Sequence, residues 1–371
     1  MKVLIAADKF KGSLTANEVC HSIMQGVLKV DPTADCERLP LADGGEGTLD
    51  ILLDVLDLQH VEVTVQDPLF RPIVSGYGIR EGVAYIEMAR ASGYELLTDA
   101  ERSATQTSSI GTGELMRDAL EKGARKIFLF VGGSATNDGG MGMAAALGIR
   151  FLDQEGNEVV PIGANLSVIN SVDLDGFVFG ADVVLVTDVS NPLLGPDGAS
   201  HQYGPQKGAT QEEVLMLDQG MAHLAGRVEN QVGKDISEVP GSGAAGGLGL
   251  SVLGLLNGSV QNGIQTLLKQ VKFADKVKEA DLVITGEGKI DEQTLQGKVV
   301  YGVTKAAQEV NLPVVAICGD SRLNDAQESQ LGLERVLRLM QDDLSVDYCI
   351  NHAAELIQAR ISEFLGTRET P

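Results

Sequence analysis

A short apolar run that ends in a loop of glycine with a carboxylate or amide, followed by a helical segment, recurs five times in this chain. The loops are Asp8-Lys9-Phe10-Lys11-Gly12; Ala42-Asp43-Gly44-Gly45-Glu46-Gly47-Thr48; Gly132-Gly133-Ser134-Ala135-Thr136-Asn137-Asp138-Gly139-Gly140; Thr187-Asp188-Val189-Ser190-Asn191-Pro192; and Thr285-Gly286-Glu287-Gly288-Lys289-Ile290-Asp291. Continuous apolar runs are what strands buried on both faces require. In open α/β sheets, ligands bind where such strands end. The helix that follows presents unpaired N–H groups and a positive dipole end, which suit an anion. Any one loop could equally be a tight turn in which glycine supplies a positive φ. Five of them favour an α/β enzyme or binding protein for a phosphate-rich ligand.

Between these loops the texture changes. Residues 1–58 read β-α-β-α: a strand over Val3–Ala7, a helix opened by the Thr15-x-x-Glu18 capping box, a strand at Cys36–Leu39 and a helix over Leu49–Leu58. His60–Val65 then alternates apolar and polar, as an antiparallel strand does. Mixed strands and helices follow, among them a helix over Ala244–Leu256. From Asp281 the first texture returns, with a strand at Asp281–Ile284, a helix at Val299–Val310, strands at Val314–Cys318 and Glu334–Leu339, and a final helix at Tyr348–Phe364. The expected fold is α/β in two domains. A discontinuous Rossmann-like three-layer parallel-sheet domain, residues 1–66 and 262–371, accepts an inserted mixed α/β domain, residues 67–261.

Composition narrows the function. The 371 residues carry 29 basic and 52 acidic side chains, a net charge of −23. Such a surface repels phosphate backbones and anionic lipid, so neither nucleic acid nor membrane is an expected partner. Trp is absent and aromatics are 4%, which removes base-stacking platforms. No apolar stretch is long enough for a spanning helix, and the first one is too short for a leader, so a cytoplasmic protein is expected. Cys20, Cys36, Cys318 and Cys349 show no C-x-x-C spacing, and the histidines no H-E-x-x-H. Walker A fails because Gly297-Lys298 is followed by Val299 and Gly233-Lys234 by Asp235. Gly241–Gly246 matches G-x-G-x-x-G, but it follows Glu238-Val239-Pro240 rather than an apolar strand.

In so acidic a chain, a polyanionic ligand needs local cations. Lys9, Lys11, Lys207, Lys289 and Lys298 stand in or beside glycine loops. Asp43, Asp188 and Asp291 pair with loop glycines. They could hold Mg²⁺ through oxygen and water, or one could take the proton of a substrate hydroxyl, and spacing leaves both open.

At these loops the sequence resembles the bacterial type-1 glycerate kinase family, over essentially the whole chain. The marks are Phe10-Lys11-Gly12-Ser13-Leu14, the 42–48 loop, Gly111-Thr112-Gly113-Glu114-Leu115, the 132–140 loop, Asn191-Pro192-Leu193 with Gly204-Pro205-Gln206-Lys207-Gly208-Ala209, Gly243-Ala244-Ala245-Gly246-Gly247, and Thr285-Gly286-Glu287-Gly288 with Ile290-Asp291 and Gln293-Thr294. The family's first loop usually reads Ala-Pro-Asp-Ser, where this chain has Ala6-Ala7-Asp8-Lys9. Near Asp291 it often carries Arg, where this chain has Lys289, and after Gly297-Lys298 it usually has Val-Pro, where this chain has Val299-Val300. The resemblance implies phosphorylation of D-glycerate by ATP with Mg²⁺, in a cleft between two domains, to 2- or 3-phosphoglycerate. Together with the loop chemistry above, this reading makes Asp188, Lys9, Asp43, Lys207 and Asp291 the candidate catalytic residues. Gly133, Ser134, Asn137, Asp138, Gly286, Glu287, Gly288 and Lys289 would bind ATP, and Asp188 and Asp291 the metal. Backbone N–H groups of the Gly133–Gly140 and Gly286–Gly288 loops would hold phosphate oxygens. Oligomeric state stays open between monomer and homodimer. The rival readings are a dinucleotide-dependent oxidoreductase of a small hydroxy acid and a non-enzymatic small-anion sensor.

Overall fold

The computed structural model describes residues 1–295, 297–341 and 344–368. The chain divides into two compact units, Met1–Asp43 with Asn262–Pro371, and Gly44–Gln261. The first begins with β1 (Lys2–Ala7), whose apolar run Val3–Ala7 is buried throughout. The capping box then starts α1 (Ala16–Val30). The Thr15 hydroxyl accepts the Glu18 N–H at 3.3 Å, and the Glu18 carboxylate takes the Thr15 N–H at 2.8 Å. Val19, Ile23 and Val27 form the buried stripe of that helix. β2 (Asp35–Arg38) then pairs parallel to β1.

The second unit opens with α2 (Thr48–Val55), entered through Gly47 at φ 86°. β3 (Gln59–Gln66), β4 (Pro72–Arg80) and β5 (Val83–Glu87) make an antiparallel meander. Residues 44–66 were expected in the first domain and belong here instead. β3 hydrogen-bonds along its whole length to β4, and that ladder outweighs the βα texture of the preceding segment. The helix α3 (Ile110–Glu121) and the strand β6 (Lys126–Phe130) follow, and β6 runs parallel to β5. A small two-stranded sheet of β7 (Arg150–Leu152) and β8 (Ser171–Asp173) stands apart. β9 (Asp182–Val186), the long helix α4 (Gln211–Val232) and β10 (Ser259–Gln261) complete the sheet, in order β10-β9-β6-β5-β4-β3. The helix expected over Ala244–Leu256 is broken. Ala245, Gly246 and Gly247 take φ of 52°, 66° and 82°, and the Gly246 carbonyl accepts the Gly139 N–H at 3.1 Å. The break therefore braces the 132–140 loop.

The chain returns to the first unit with α5 (Gly263–Gln270), capped by the Asn262 side chain, and β11 (Leu282–Ile290). The short α6 (Glu292–Leu295), α7 (Val299–Gln308), β12 (Val314–Ser321) and β13 (Arg335–Arg338) follow. The expected final helix is two, α8 (Val346–Asn351) and α9 (Ala353–Thr367), separated at His352. The sheet order is β13-β12-β11-β1-β2, all parallel. One face packs Val19, Ile23 and Val27 of α1 with Ile357 and Ile361 of α9. The other packs Val300 of α7 against Ile290, Ala316 and Cys318. This unit is thus three layers. Gly26 lets α1 and α9 close, since a Cβ there would stand 2.8 Å from Ile361 Cβ. Among the described residues no helix is long and apolar enough to cross a membrane.

Gly246 has no room for a side chain, because a Cβ would lie 1.9 Å from the Thr136 carbonyl oxygen, and its φ is left-handed. Gly246→Ala is expected to cost about 3 kcal/mol or more of stability. Urea unfolding followed by circular dichroism measures this, and an unchanged midpoint would contradict the packing described.

Candidate active site

Strand order in the first unit reverses at one place. From β1 the chain steps to β2 on one side, and after the insertion it resumes with β11 on the other. The crevice between the carboxyl ends of β1 and β11 is therefore the topological switch point, where open α/β sheets bind ligands. The register Ala7↔Gly286 sets the end of β1 level with the middle of β11, which runs on to Ile290, and the Asp8 N–H donates to the Gly286 carbonyl at 2.8 Å. Asp8, just past the end of β1, consequently stands beside Glu287 within β11. Asp43 reaches them because the chain beyond β2 stays beside β1, with Leu39 N–H on Ile5 O at 2.8 Å and Leu41 N–H on Ala7 O at 2.9 Å.

These carboxyls are electrostatically unusual. Asp8 is 8% exposed and Glu287 5%. Burial, reinforced by the Asp43 charge, pushes Asp8 up to about 7 against the Lys9 N–H bond (2.6 Å) and the Lys9 and Lys298 charges. Burial pushes Glu287 up to about 8. The Thr294 hydroxyl donates to Glu287 and the Lys298 charge also opposes the rise, while Asp8 and Asp43 add to it. Lys298 caps the start of α7. The constellation is three acids with two lysines, with one acid poised near neutrality as a proton acceptor must be.

The remaining expected residues of this unit fall differently. Gly286, Glu287 and Gly288 lie within β11, not in a loop. Gly286 is registered against Ala7 and Ile317 and Glu287 against Cys318, so the backbone here belongs to the sheet rather than to a phosphate cradle. Asp291 forms an ion pair with Lys289 at 2.8 Å and accepts the Gln293 N–H at 3.0 Å as α6 begins. Burial works to raise its carboxyl, but those two partners hold it below the usual range. Lys9 is half-buried.

In the second unit, the glycine loops contain their own anions. Asp138 is fully buried and accepts four bonds: the Ser109 N–H (2.8 Å), the Ser109 hydroxyl (2.7 Å), and the Gly140 and Gly142 N–H groups (both 3.1 Å). Burial raises its carboxyl in spite of them. Glu87 at the end of β5 accepts the Gly47 and Leu49 N–H groups at 3.0 Å each, so the donors at the N-terminus of α2 are already satisfied by a side chain. Lys207 is buried too and donates to Ser134 Oγ and to the Thr136 carbonyl, both at 2.7 Å. Burial lowers its ammonium to about 7, with Asp138 opposing. Lys207 therefore ties the loop internally. Asn137 donates to Ser200 Oγ at 2.9 Å, and Gly133 takes φ 72°. The 42–48 and 132–140 loops meet backbone to backbone, since a Cβ on Gly132 would stand 2.8 Å from Gly45 Cα. Asp188 is exposed just beyond β9. The cavity of about 370 Å³ beside Gly47 and Gly133 is lined by Glu46, Asp50, Glu87 and Glu95 against Arg90, which is unsuited to an anion. The G-x-G-x-x-G glycines serve packing, with a Cβ on Gly243 reaching 2.1 Å from the Pro192 carbonyl.

Sequence reasoning singled out the first loop and Asp43 but not Asp8 itself, and it passed over Glu87. The available signal was shared by both, a carboxylate at the last position of an apolar run. Lys298, beside Gly297, and Thr294, in the Gln293-Thr294 mark, stood out in the sequence, but nothing local tied either to Asp8 or Glu287.

A family model described as the glycerate kinase family matches residues 3–367. A protein named glycerate kinase from Bacillus subtilis is 42% identical over 363 residues, covering 96% of this chain and 95% of that relative. A protein named glycerate 2-kinase from Escherichia coli is 37% identical over 362 residues, covering 96% and 95%. A crystal structure from Salmonella typhimurium, named as a candidate glycerate kinase 2, superposes with a TM-score of 0.87 at 38% identity. It covers 99% of this chain and 98% of that one.

The raised acids give the protein a pH signature. Folded, it keeps the Asp8 and Glu287 protons to about pH 7 and 8, whereas the unfolded chain releases them near pH 4. Their contribution to stability is complete below about pH 4 and lost as pH rises through about 8. Glu287→Gln keeps an acceptor for Thr294 and removes one titration. It is expected to gain on the order of 1–3 kcal/mol over the parent at pH 8 and little at pH 4. Melting curves across that range test this, and parallel pH profiles for the two proteins would contradict it.

Proposed function

The chain belongs to the glycerate kinase family, and from that premise we propose that it transfers the γ-phosphoryl group of ATP to a hydroxyl of D-glycerate. The observation that carries the proposal is the buried acid cluster Asp8, Asp43 and Glu287 at the β1–β11 switch point. Phosphoryl transfer to an alcohol needs little covalent help from protein. It needs a proton acceptor for the hydroxyl, cations for the phosphate charge and fixed positions for both. Asp8, with an affinity for protons near neutrality, takes the hydroxyl proton. Lys9 and Lys298 face the same acids and offset the charge of the transferred group and of the glycerate carboxylate. Thr294 orients Glu287, whose proton is retained at neutral pH, so the cluster carries less negative charge than its composition implies.

Magnesium fits this donor set. It takes one or two carboxylates and completes its shell with water and phosphate oxygens. Asp43, half-buried beside Asp8, is the ligand we assign in the first unit, with Asp291, paired to Lys289, as a second carboxylate. Asp188, an exposed carboxylate just beyond β9, is the metal-ligand candidate we assign within the second unit. When bound, the ion would neutralise phosphate charge. In the second unit, Asp138 and Lys207 hold the Gly133, Ser134 and Asn137 loop in shape. The relative named glycerate 2-kinase favours 2-phosphoglycerate as the product. The reaction draws on cytoplasmic ATP, which accords with a soluble small-molecule kinase.

Phosphorus NMR of the protein with Mg-ATP and D-glycerate, against a glycerate-free control, is expected to show a new phosphomonoester, assigned with authentic 2- and 3-phosphoglycerate. Asp8→Asn is expected to lower kcat by about 100-fold or more with an unchanged fold. Intact ATP with folded protein would overturn the reading. Binding without turnover would turn it towards a sensor.

A further inference from the structure

The first unit carries a cavity of about 660 Å³ between α5 and α7, well within the size of small-molecule pockets. Its walls include the half-exposed apolar groups Leu268, Tyr301 and Ala306, and its rim the amides of Asn262 and Gln265 with the exposed charges of Lys269, Lys305 and Glu309. The Lys305 ammonium lies 5.5 Å from the Tyr301 ring centroid. The floor is closed by a tight helix crossing, because a Cβ on Gly302 would stand 2.6 Å from Ile264 Cγ1. Apolar walls, an aromatic ring and a few amides at the edge suit a flat heteroaromatic ring with polar edges. The charges stand on exposed rim residues of both signs, and the walls themselves offer none to a phosphate or a hydroxy acid.

One helix joins this cavity to the acid cluster. α7 starts at Lys298, whose charge acts on Asp8 and Glu287, and its flank from Tyr301 to Ala306 lines the cavity. The Gly302 N–H bond to the Lys298 carbonyl, at 3.0 Å, closes the first turn. The cavity thus runs from Gly297, next to Lys298, along about two helical turns of ~5.4 Å each to Ala306. The larger cavity of about 870 Å³ does not compete. It lies by the edge strand β13, and its Arg338 and Arg360 are paired with Glu328 and Glu363.

We propose that the α5–α7 cavity is the purine-base subsite of the nucleotide, with the polyphosphate directed along α7 towards Lys298. The proposal rests on the kinase reading above and adds the place and chemistry of base recognition.

Ala306→Trp fills the cavity from a half-buried position. It is expected to weaken ADP binding and raise KM for ATP by about tenfold or more. kcat at saturating ATP, KM for glycerate and inhibition by inorganic tripolyphosphate, which has no base, should each stay within about twofold. Unchanged ADP affinity in this variant, with the parent active, would overturn the base subsite and leave the kinase reading standing. A parent that neither binds ADP nor turns over would overturn both. Should the variant not fold, photolabelling of the parent with 2-azido-ADP decides. Label on peptides spanning residues 263–270 or 299–308 supports the subsite, and label confined elsewhere overturns it.

Discussion

The pairing of β1 with β11 is the constraint on which the first unit depends. Two strands from opposite ends of the chain lie parallel, with Val3 opposite Leu282 and Ala7 opposite Gly286. That register has two consequences. It makes a discontinuous stretch of chain into one sheet, sealed on one face by α1 against α9. It also sets the end of β1 against the middle of β11, so that Asp8 and Glu287 lie side by side. A slip of one residue would send one of these side chains to the other face. Their mutual repulsion and burial follow from the register, and so does their hold on protons near neutrality.

The second unit handles charge in the opposite sense. Its glycine loops and helix starts present N–H groups of the kind that bind anions, yet Asp138 and Glu87 already occupy many of them. A buried carboxylate with three or four donors is a structural clamp, and here it shapes the loop rather than leaving it open. Lys207 completes the clamp on the 132–140 loop from the other side, bonded to a hydroxyl and a carbonyl instead of to a ligand. A glycine-rich loop that looks from its composition like a phosphate cradle can thus be a rigid wall whose remaining donors are few and well placed.

Much of the fold was legible because its signals are local. The Thr15–Glu18 capping box, the apolar runs of β1 and β12 and the alternation of β3 each depend on neighbours within a few residues. The misreadings came where contacts distant in sequence decided. Thr285–Ile290 has the glycines of a loop, but β1 on one side and β12 on the other draw it out as strand. Ala244–Leu256 has helix-compatible small residues, but the Thr136 carbonyl approaches so closely that the backbone must turn left-handed at Gly246. Residues 44–58 read like the βα segment before them and His60–Val65 like an antiparallel strand, but only the pairing of β3 with β4 places 44–66 in the other unit.

The candidate site divides along the same line. Sequence alone determined the α/β class, the insertion of one unit into another, the loops at strand ends and the family, since these are carried by periodicity, capping and ordered motifs. It also singled out Asp43, Glu287 and the lysines as chemically useful. Only the tertiary structure decided that Asp8 joins Asp43 and Glu287, that Lys207 and Asp138 are buried fasteners, and that Asp291 is bound to Lys289. The physical reason is that burial and charge–charge coupling depend on which groups become neighbours in space. In a parallel sheet those neighbours come from strands far apart in the chain.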